Sequence, residues 1–342
     1  MRRRAYGWTA ATLCAAVGGE ALAHHSPFIF FDPSTTIEAT GTVTRVHWRN
    51  PHVTFTVESE DASWEIEANS VSILRRMDLT ADVVQVGDTV TVAGWPPKQA
   101  EHSMFLTNML IGGGPEIIFW PGTPPRWSDN TAGTSRTWMV TEADLTADAP
   151  EGIFRVWSTT LAYGPENFLF EGFDFPLTDA AQAARAAYDL ADSPILGSCV
   201  HKGMPTIMEQ PYPMALVAGD GVIYLRMEEG DAVRTIDMTP GASPAGVPSP
   251  MGHSVGRWEG ETLAVTTTAS TWPHIDMTGV PNTEDTVMVE RFTPSADGRR
   301  LDYTLTLTNP AIFTAPPTFT KHWLWLPEAT VEPYACEVEA ER

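Results

Sequence analysis

The stretch TGTVTRVHWRNPHVTFTVE, residues 40–58, decides the fold of the first part of the chain. β-Branched and aromatic residues alternate with polar ones on both sides of a central turn at Arg49-Asn50-Pro51, and this pattern predicts two strands joined by that turn. The alternation continues over Trp64–Ala68, which predicts a third strand. The front of the chain is therefore expected to form an antiparallel sheet.

The segments that follow predict a short helix and two more strands. Ser70 is a plausible N-cap for a short helix that ends near Met77. A fourth strand is predicted over Thr89–Ala93, and a fifth from about Met104 to Ile111. Three strands, a helix and two strands is the order of an OB-like small barrel, so residues 24–112 are predicted to form such a domain.

The rest of the chain reads as a linker and a larger β domain. Residues 113–136 are rich in Gly, Pro, Ser and Thr, as linkers are, and residues 137–342 alternate again from Met214 onward. A single helix is predicted near residues 179–190, capped by Thr178. Many short strands joined by turn residues predict an antiparallel β-barrel or sandwich, so the fold class is mainly β. The predicted strands after residue 210 are Ala215–Ala218, Val222–Met227, Val233–Met238, Ser254–Trp258, Thr262–Thr268, Val287–Phe292, Leu301–Leu307, Phe319–Leu326 and Tyr334–Val338.

The first 23 residues have the composition of a secretory signal peptide. Three arginines precede a mostly small and apolar run, which ends in Ala21-Leu22-Ala23. We therefore expect cleavage after Ala23 and a periplasmic or secreted protein. No later apolar run is long enough to span a bilayer, so no membrane anchor is expected after cleavage.

Two cysteines remain once Cys14 has left with the signal peptide. In an oxidising compartment Cys199 and Cys336 are expected to form one disulfide. Two free thiols, or a metal-binding pair, are the alternatives.

The charge of the chain excludes one class of partner. Asp and Glu number 43 against 21 Lys and Arg, which leaves a net charge of -22. Such a surface repels phosphate backbones, so nucleic acid is not expected as a partner. The sequence also lacks a P-loop, a dinucleotide fingerprint after a strand and an H-E-x-x-H motif, so no nucleotide, flavin or redox cofactor is expected.

Three residues are candidates for acid–base catalysis. His274 and Asp276 lie two apart in an extended segment and point to the same side, where they could act as a base and its orienting group. His253 could join them if the fold brings it near. His253 also lies in Gly252-His253-Ser254-Val255-Gly256, which matches G-x-S-x-G, but a strand rather than a helix follows, so a nucleophile elbow is not favoured.

A second set of residues could contact a ligand. Trp323 and Trp325 share one face of a late strand, and aromatic side chains can line an apolar cavity as well as fill a core. Charged residues on barrel strands can line a polar cavity or face water. The candidates for ligand contact are Trp258, Trp323, Trp325, Arg257 and Glu290.

A metal site is a further hypothesis. A mature chain that begins at His24 could chelate copper through its amine and its imidazole, given another imidazole. His47 and His52, on either side of the first turn, are the candidate additional ligands. The alternative is a flexible, polar terminus with no metal.

With these residues laid out, the chain resembles uncharacterised secreted bacterial proteins. The front half resembles a domain marked by Ala-His-His-Ser, an Asn-Pro-His turn and a Gly-Asp before a later strand, which here are residues 23–26, 50–52 and 87–88. The back half resembles a domain marked by Gly-His-Ser-Val-Gly-Arg-Trp-Glu-Gly-Asp-Thr-Leu, here residues 252–263. The chain departs from that domain at Glu261, where Asp is usual, and at Thr266 and Asn282, where Asp and His are common. The resemblance implies export and carries no activity with it.

The leading functional hypothesis is that the C-terminal domain binds a small apolar or aromatic molecule without a redox cofactor. A cofactor-independent lyase, isomerase or hydrolase that uses His253, His274 and Asp276 is one alternative. Copper binding through His24 is another. The oligomeric state is left open.

Overall fold

The computed structural model of the protein describes residues 27–190, 193 and 198–337. The proposed signal peptide and His24 lie outside the described residues. Two β-barrels follow one another along the chain, which confirms the predicted mainly β fold class. No helix within the described residues is both long and apolar enough to span a bilayer.

The first barrel has the OB-like order predicted from the sequence. Its elements are α1 (Pro27–Phe30), β1 (Ile37–His47), β2 (Thr54–Glu58), β3 (Ser63–Glu67), α2 (Val71–Arg75), β4 (Thr89–Trp95) and β5 (Ser103–Ile111). The strands lie in the order β3-β2-β1-β4-β5, and a parallel pairing of β3 with β5 closes the five-stranded barrel. Ser70 caps α2 by accepting a hydrogen bond from the backbone N–H of Ile73, as expected.

Two glycines let the sheet close on itself. A Cβ atom at Gly41 of β1 would collide with the carbonyl oxygen of Glu58, and one at Gly94 of β4 would collide with that of Phe105. A register shift between Val43 and Arg45 adds to the bend of β1. Glycine and a bulge at such corners allow a strand to belong to both sides of a small barrel.

Two short strands lie in the stretch that the sequence predicts as a linker. β6 (Glu116–Ile118) pairs with β5, and β7 (Thr131–Ala132) pairs with β6. Glu116 is fully buried, and its carboxylate accepts hydrogen bonds from the side chain of Asn108 and the backbone N–H groups of Arg126, Trp127 and Ser128. Burial acts to raise the pKa of Glu116, but these donors together hold it below its usual value. The carboxylate thereby fixes the loop that carries Trp120.

The second barrel has nine strands. They are β8 (Val156–Trp157), β9 (Met214–Ala218), β10 (Val222–Met227), β11 (Val233–Asp237), β12 (His253–Glu259), β13 (Thr262–Thr268), β14 (Val287–Pro294), β15 (Arg300–Thr308) and β16 (Thr318–Leu324). Neighbours in sequence are neighbours in the sheet, and all pairs are antiparallel except β11 with β12. A bridge between Ser158 and Leu324 joins the two ends, so the barrel is nearly closed.

Alternation along these strands fills the inside of the second barrel. Along β15 every second residue from Leu301 to Leu307 is buried, and Met288, Glu290 and Phe292 of β14 point the same way. Trp323 of β16 is fully buried beside them. The interior is therefore a packed core.

The long connection between β8 and β9 packs on the core of the second barrel. It carries α3 (Asp179–Ala186), which begins at the predicted cap, Thr178, and ends four residues before the predicted end at Leu190. Residues 206–209 of the same connection form one turn of 3₁₀ helix. This connection supplies much of the site described below.

The C-terminal segment ties the two barrels together. Cys199 and Cys336 form the expected disulfide. The side-chain amide of Asn50 donates to the carbonyl oxygen of Tyr334, whose ring packs into the core of the first barrel beside Tyr212. The predicted strand Tyr334–Val338 is not formed over residues 334–337, because this segment lies against the first barrel and adds only a bridge from Cys336 to Asn50.

Candidate functional site

A cleft of about 250 Å³ lies where the two barrels meet. The first barrel contributes the segment around His52 and the start of α2, together with Phe28 and Trp120. The second unit contributes residues 168–173, parts of the 202–212 segment, Arg185 and the loop 276–278. The site is thus shared between two regions that are distant in sequence.

The walls of the cleft are aromatic on both sides. Phe28 and Trp120 meet edge to face on the wall of the first barrel, with ring centres 5.7 Å apart. On the opposite wall, Phe170 and Phe173 pack on Phe319 of the second barrel at 5.0 and 4.4 Å. Because these rings also contact neighbouring rings, the walls are held in place by the packing of both barrels.

Glu209 is an acidic group of the cleft that lies beside these rings. It ends the 3₁₀ turn 206–209, lines the cleft and is partly exposed there. Its Oε1 accepts a hydrogen bond of 3.1 Å from the backbone N–H of Phe170. Burial raises the pKa of Glu209 to about 7, although the charge of Lys202 and the Phe170 N–H act against it.

Two buried lysines stand beside Glu209, and both are engaged. Lys202 lines the cleft, and its Nζ lies 3.2 Å from the carboxylate of Glu229. Lys321, on β16, donates to the carbonyl oxygens of Met208, Glu209 and Gln210 at 3.2 to 3.4 Å. Lys321 therefore holds the backbone that carries Glu209, and burial lowers the pKa of Lys321 to about 7.

Asp276 is the one predicted catalytic residue that lines the cleft. Its Oδ1 accepts from the backbone N–H groups of Thr278 and Val280, both at 3.1 Å, and its Oδ2 accepts from the Thr278 hydroxyl at 2.7 Å. The same hydroxyl accepts a hydrogen bond from Arg185 at 2.7 Å. Asp276 thus organises its own loop and fixes Arg185 through Thr278.

The two predicted catalytic histidines lie outside the cleft. His253, at the start of β12, is half-buried, and its Nε2 is 3.2 Å from the carbonyl oxygen of Ser243. His274 packs on the ring of Tyr188 at 4.5 Å. Burial lowers the pKa of His274, and the nearby charge of Asp276 partly offsets this. No contact among the described residues joins the two histidines.

The residues predicted to contact a ligand also lie outside the cleft. Trp258 is 45% exposed and meets Phe154 edge to face, while Arg257 pairs with Glu259 on the same strand. Trp323 lies in the barrel interior, and Trp325 lies under the guanidinium of Arg155. Glu290 is fully buried and pairs with Arg234.

The described copper candidates are part of the first barrel. His47 ends β1 and is half-buried. His52 is buried, and its Nδ1 lies 3.0 Å from both the carbonyl oxygen of Ala68 and a carboxylate oxygen of Glu67. Among the described residues, no three His, Cys, Asp or Glu side chains are grouped as a metal ion would require.

The side chains that define the cleft are not among the site residues predicted from the sequence. Trp120 lies in the predicted linker, and Glu209 and Phe170 lie in the irregular connection before β9. One signal was available, because Lys202 and Glu209 flank the mostly apolar stretch 203–208. Charged residues in such a stretch are often buried together in pairs.

A family model matches the front of the chain, and it carries no activity. Residues 12–105 match the model of a family of unknown function (DUF6152). Within the described structure this range covers the first barrel as far as Phe105 of β5, and it coincides with the front half for which the sequence shows a resemblance. No curated protein matches the chain.

Proposed function

We propose that the protein binds a small, largely apolar molecule in the cleft between its two barrels. The observation that carries this proposal is the pair of aromatic walls, one from each barrel, around a concave space of about 250 Å³. Concave, mostly apolar sites with a few polar groups are the usual form of small-molecule sites.

The size of the cleft favours a compact ligand. Sites for drug-sized molecules measure roughly 300–1,000 Å³. A cleft of about 250 Å³ is therefore suited to a single ring or a short branched chain. Its aromatic lining favours an aromatic guest, because rings attract one another in offset-stacked or edge-to-face contacts.

The packed interior of the second barrel leaves the cleft as the better site. Trp323, Phe292 and Tyr303 fill the barrel where an enclosed ligand would lie, with ring centres 4.9 to 6.4 Å apart. The C-terminal unit still supplies most of the polar groups of the cleft, including Glu209 and Lys202.

We place this binding outside the cytoplasm. The N-terminal sequence has the pattern of a signal peptide, and the Cys199–Cys336 disulfide suits an oxidising compartment. In this proposal the protein is a periplasmic or secreted binding protein for a small molecule.

Titration with benzyl alcohol, followed by saturation-transfer NMR, tests the proposal. The wild-type protein is expected to bind this neutral ring with a Kd of about 1 mM or tighter, which corresponds to roughly 4 kcal/mol. Trp120→Ala removes one wall and is expected to weaken binding at least about fivefold. Trp64→Ala, at a half-buried tryptophan of β3 outside the cleft, is the matched control and is expected to change the Kd less than about twofold. Absence of binding to the wild type, or equal losses in both variants, contradicts the proposal.

A further inference from the structure

Two glutamate carboxyl groups line the cleft without a salt bridge. Glu209 lies deep in it, and Glu171 lies exposed at its rim. Neither forms an ion pair with another described residue. Burial raises the pKa of both carboxyl groups, which means that the protein stabilises their charged forms less well than water does.

The positive groups of the cleft are already engaged by the protein. Lys202 is paired with Glu229, and Arg185 donates to Thr278 and lies over the ring of Phe175. Lys321, behind the cleft, donates to three carbonyl oxygens. An arriving anion would have to compete for cations that are already bonded within the protein, whereas an arriving cation would meet two glutamate carboxyl groups that form no salt bridge with a described residue.

The rest of the site also favours a cation. The faces of Trp120, Phe28 and Phe170 carry the negative side of the aromatic quadrupole, which attracts ammonium groups. The net charge of -22 raises the local concentration of cations near the protein. Asp276 adds negative charge beside Glu209, although its oxygens are occupied by hydrogen bonds within its own loop.

We propose that the ligand is a primary amine on an apolar body, whose ammonium group binds the Glu209 carboxylate while its ring lies between Trp120 and Phe170. This inference rests on the proposed binding function and names the chemical class of its ligand. A primary ammonium can donate to Glu209, whose Oε1 is already fixed by the Phe170 N–H, in a charge-assisted hydrogen bond.

Binding of an ammonium group is expected to depend on pH, because it requires Glu209 in its ionised form. The pKa of Glu209 is about 7, so its ionised fraction grows about tenfold between pH 6 and pH 8. Lys202, Lys321 and Asp276 are the charged groups around it. Lys321, with a pKa of about 7, loses charge over the same range, which favours a bound cation in the same direction.

Other titratable groups lie on the remaining walls of the cleft. They are His52 on the first barrel, Glu171 at the rim and Arg185 on α3. Replacing Glu209 alone therefore separates its contribution from theirs.

Isothermal titration calorimetry with two probes of matched shape tests the inference. Benzylamine and benzyl alcohol share a ring and differ in the head group, and the amine stays protonated from pH 6 to pH 8. At pH 8, benzylamine is expected to bind about tenfold more tightly than benzyl alcohol. At pH 6 this advantage is expected to fall by about tenfold, while the affinity for benzyl alcohol stays the same.

Glu209→Gln is the decisive variant. The amide can still accept the Phe170 N–H, so benzyl alcohol is expected to bind within about twofold of the wild type, which also shows that the cleft is intact. The advantage of benzylamine is expected to disappear, and any pH dependence that remains measures Lys321. Glu261→Gln removes the same charge from an exposed turn outside the cleft and is expected to leave both affinities unchanged.

A measurement on the wild type alone keeps the inference testable if Glu209→Gln does not fold. Near pH 6.5 Glu209 is partly protonated, so binding of benzylamine is expected to release protons, seen as a dependence of the binding heat on the ionisation enthalpy of the buffer. No proton release overturns the inference, as does benzyl alcohol binding as tightly as benzylamine at pH 8. In the latter case the proposed function stands, whereas failure of both probes to bind overturns both.

Discussion

The buried charges inside the second barrel and those at the cleft are built differently. Inside the barrel lies the pair Arg234–Glu290, where both side chains are at most 1% exposed. At the cleft lies the group around Glu209, where Lys202 and Lys321 are buried but Glu209 remains partly exposed. The two groups differ in how many of their charged atoms have hydrogen-bond partners within the protein.

Other protein groups supply the hydrogen-bond partners of the interior pair. Arg234 donates to both carboxylate oxygens of Glu290 and to the hydroxyls of Ser254 and Thr267. Glu290 also accepts from the hydroxyl of Tyr303 at 2.8 Å and from that of Thr267 at 3.1 Å. A buried pair with this many partners has no free hydrogen-bonding capacity for a ligand, so it serves to hold five strands together.

The group at the cleft leaves part of its capacity open. Lys202 and Lys321 are bound to protein oxygens, whereas the carboxyl of Glu209 receives a single backbone N–H and faces the space between the barrels. Burial alone therefore does not distinguish a charged group that can bind a ligand from one that only holds the fold together. The informative feature is a buried charge whose partners are incomplete on the side of a cavity.

The largest effect is expected from breaking the interior pair. Arg234→Met leaves Glu290 buried without its cation and should reduce the free energy of unfolding by about 3–5 kcal/mol, measured by urea denaturation. Arg291→Met is the matched control, because Arg291 follows Glu290 on β14 but is 43% exposed, and its pair with Glu259 should contribute less than about 1 kcal/mol.

A double variant sharpens this prediction. Arg234→Met combined with Glu290→Leu removes both charges and should recover part of the stability lost by Arg234→Met alone. If the single variant loses less than about 1 kcal/mol, the interior pair is not the structural element that its hydrogen bonds indicate.

The contrast between these two groups also explains what the sequence could predict. Glu290 and Arg291 are adjacent in a strand, so the period of two places them on opposite faces, and the structure gives them different partners. The strands Val222–Met227 and Thr262–Thr268 were predicted with the bounds that they have in the structure, because alternation and short turns are local signals. The disulfide could be predicted because Cys14 lies in the proposed signal peptide, so that Cys199 and Cys336 were the two candidates, and the structure confirms it.

The cleft could not be predicted by the same means. Trp120 and Phe170 line the same cleft only because the two barrels pack together, and no periodicity within either segment predicts that packing. Glu209 lies in an irregular connection, where alternation has no meaning. The C-terminal segment 334–337 reads as a strand but packs on the first barrel, because Tyr334 enters that core and Cys336 is bonded to Cys199.

The next effect is expected in the pH dependence of stability. The pKa of Glu209 is raised from 4.5 to about 7 in the folded protein, so the folded state binds more protons than the unfolded state between these values. The free energy of unfolding should therefore fall as the pH rises from about 4.5 to 7, by up to about 3 kcal/mol from this group.

Urea denaturation at pH 5 and pH 7 measures this contribution. Glu209→Gln should flatten the fall that the wild type shows, whereas Lys321 acts in a different window, since its lowered pKa makes stability rise with pH above about 7. Glu261→Gln, at an exposed turn, should keep the slope of the wild type. An unchanged slope in Glu209→Gln would show that Glu209 has an ordinary pKa and that the cleft does not desolvate it.

The smallest effect is expected at the rim of the cleft. Glu171→Gln removes a carboxyl that is exposed, so its attraction for a bound ammonium is screened, and the Kd for benzylamine at pH 8 should rise only about twofold. Raising the salt from about 0.05 M to about 0.5 M should abolish this difference, because it acts through solvent, while the larger effect of Glu209→Gln should persist. A loss at Glu171 as large as that at Glu209 would place the ammonium group at the mouth of the cleft. The ammonium would then bind Glu171, which is exposed, rather than Glu209. A buried carboxyl with few hydrogen-bond partners would then not be what distinguishes the cleft from the Arg234–Glu290 pair.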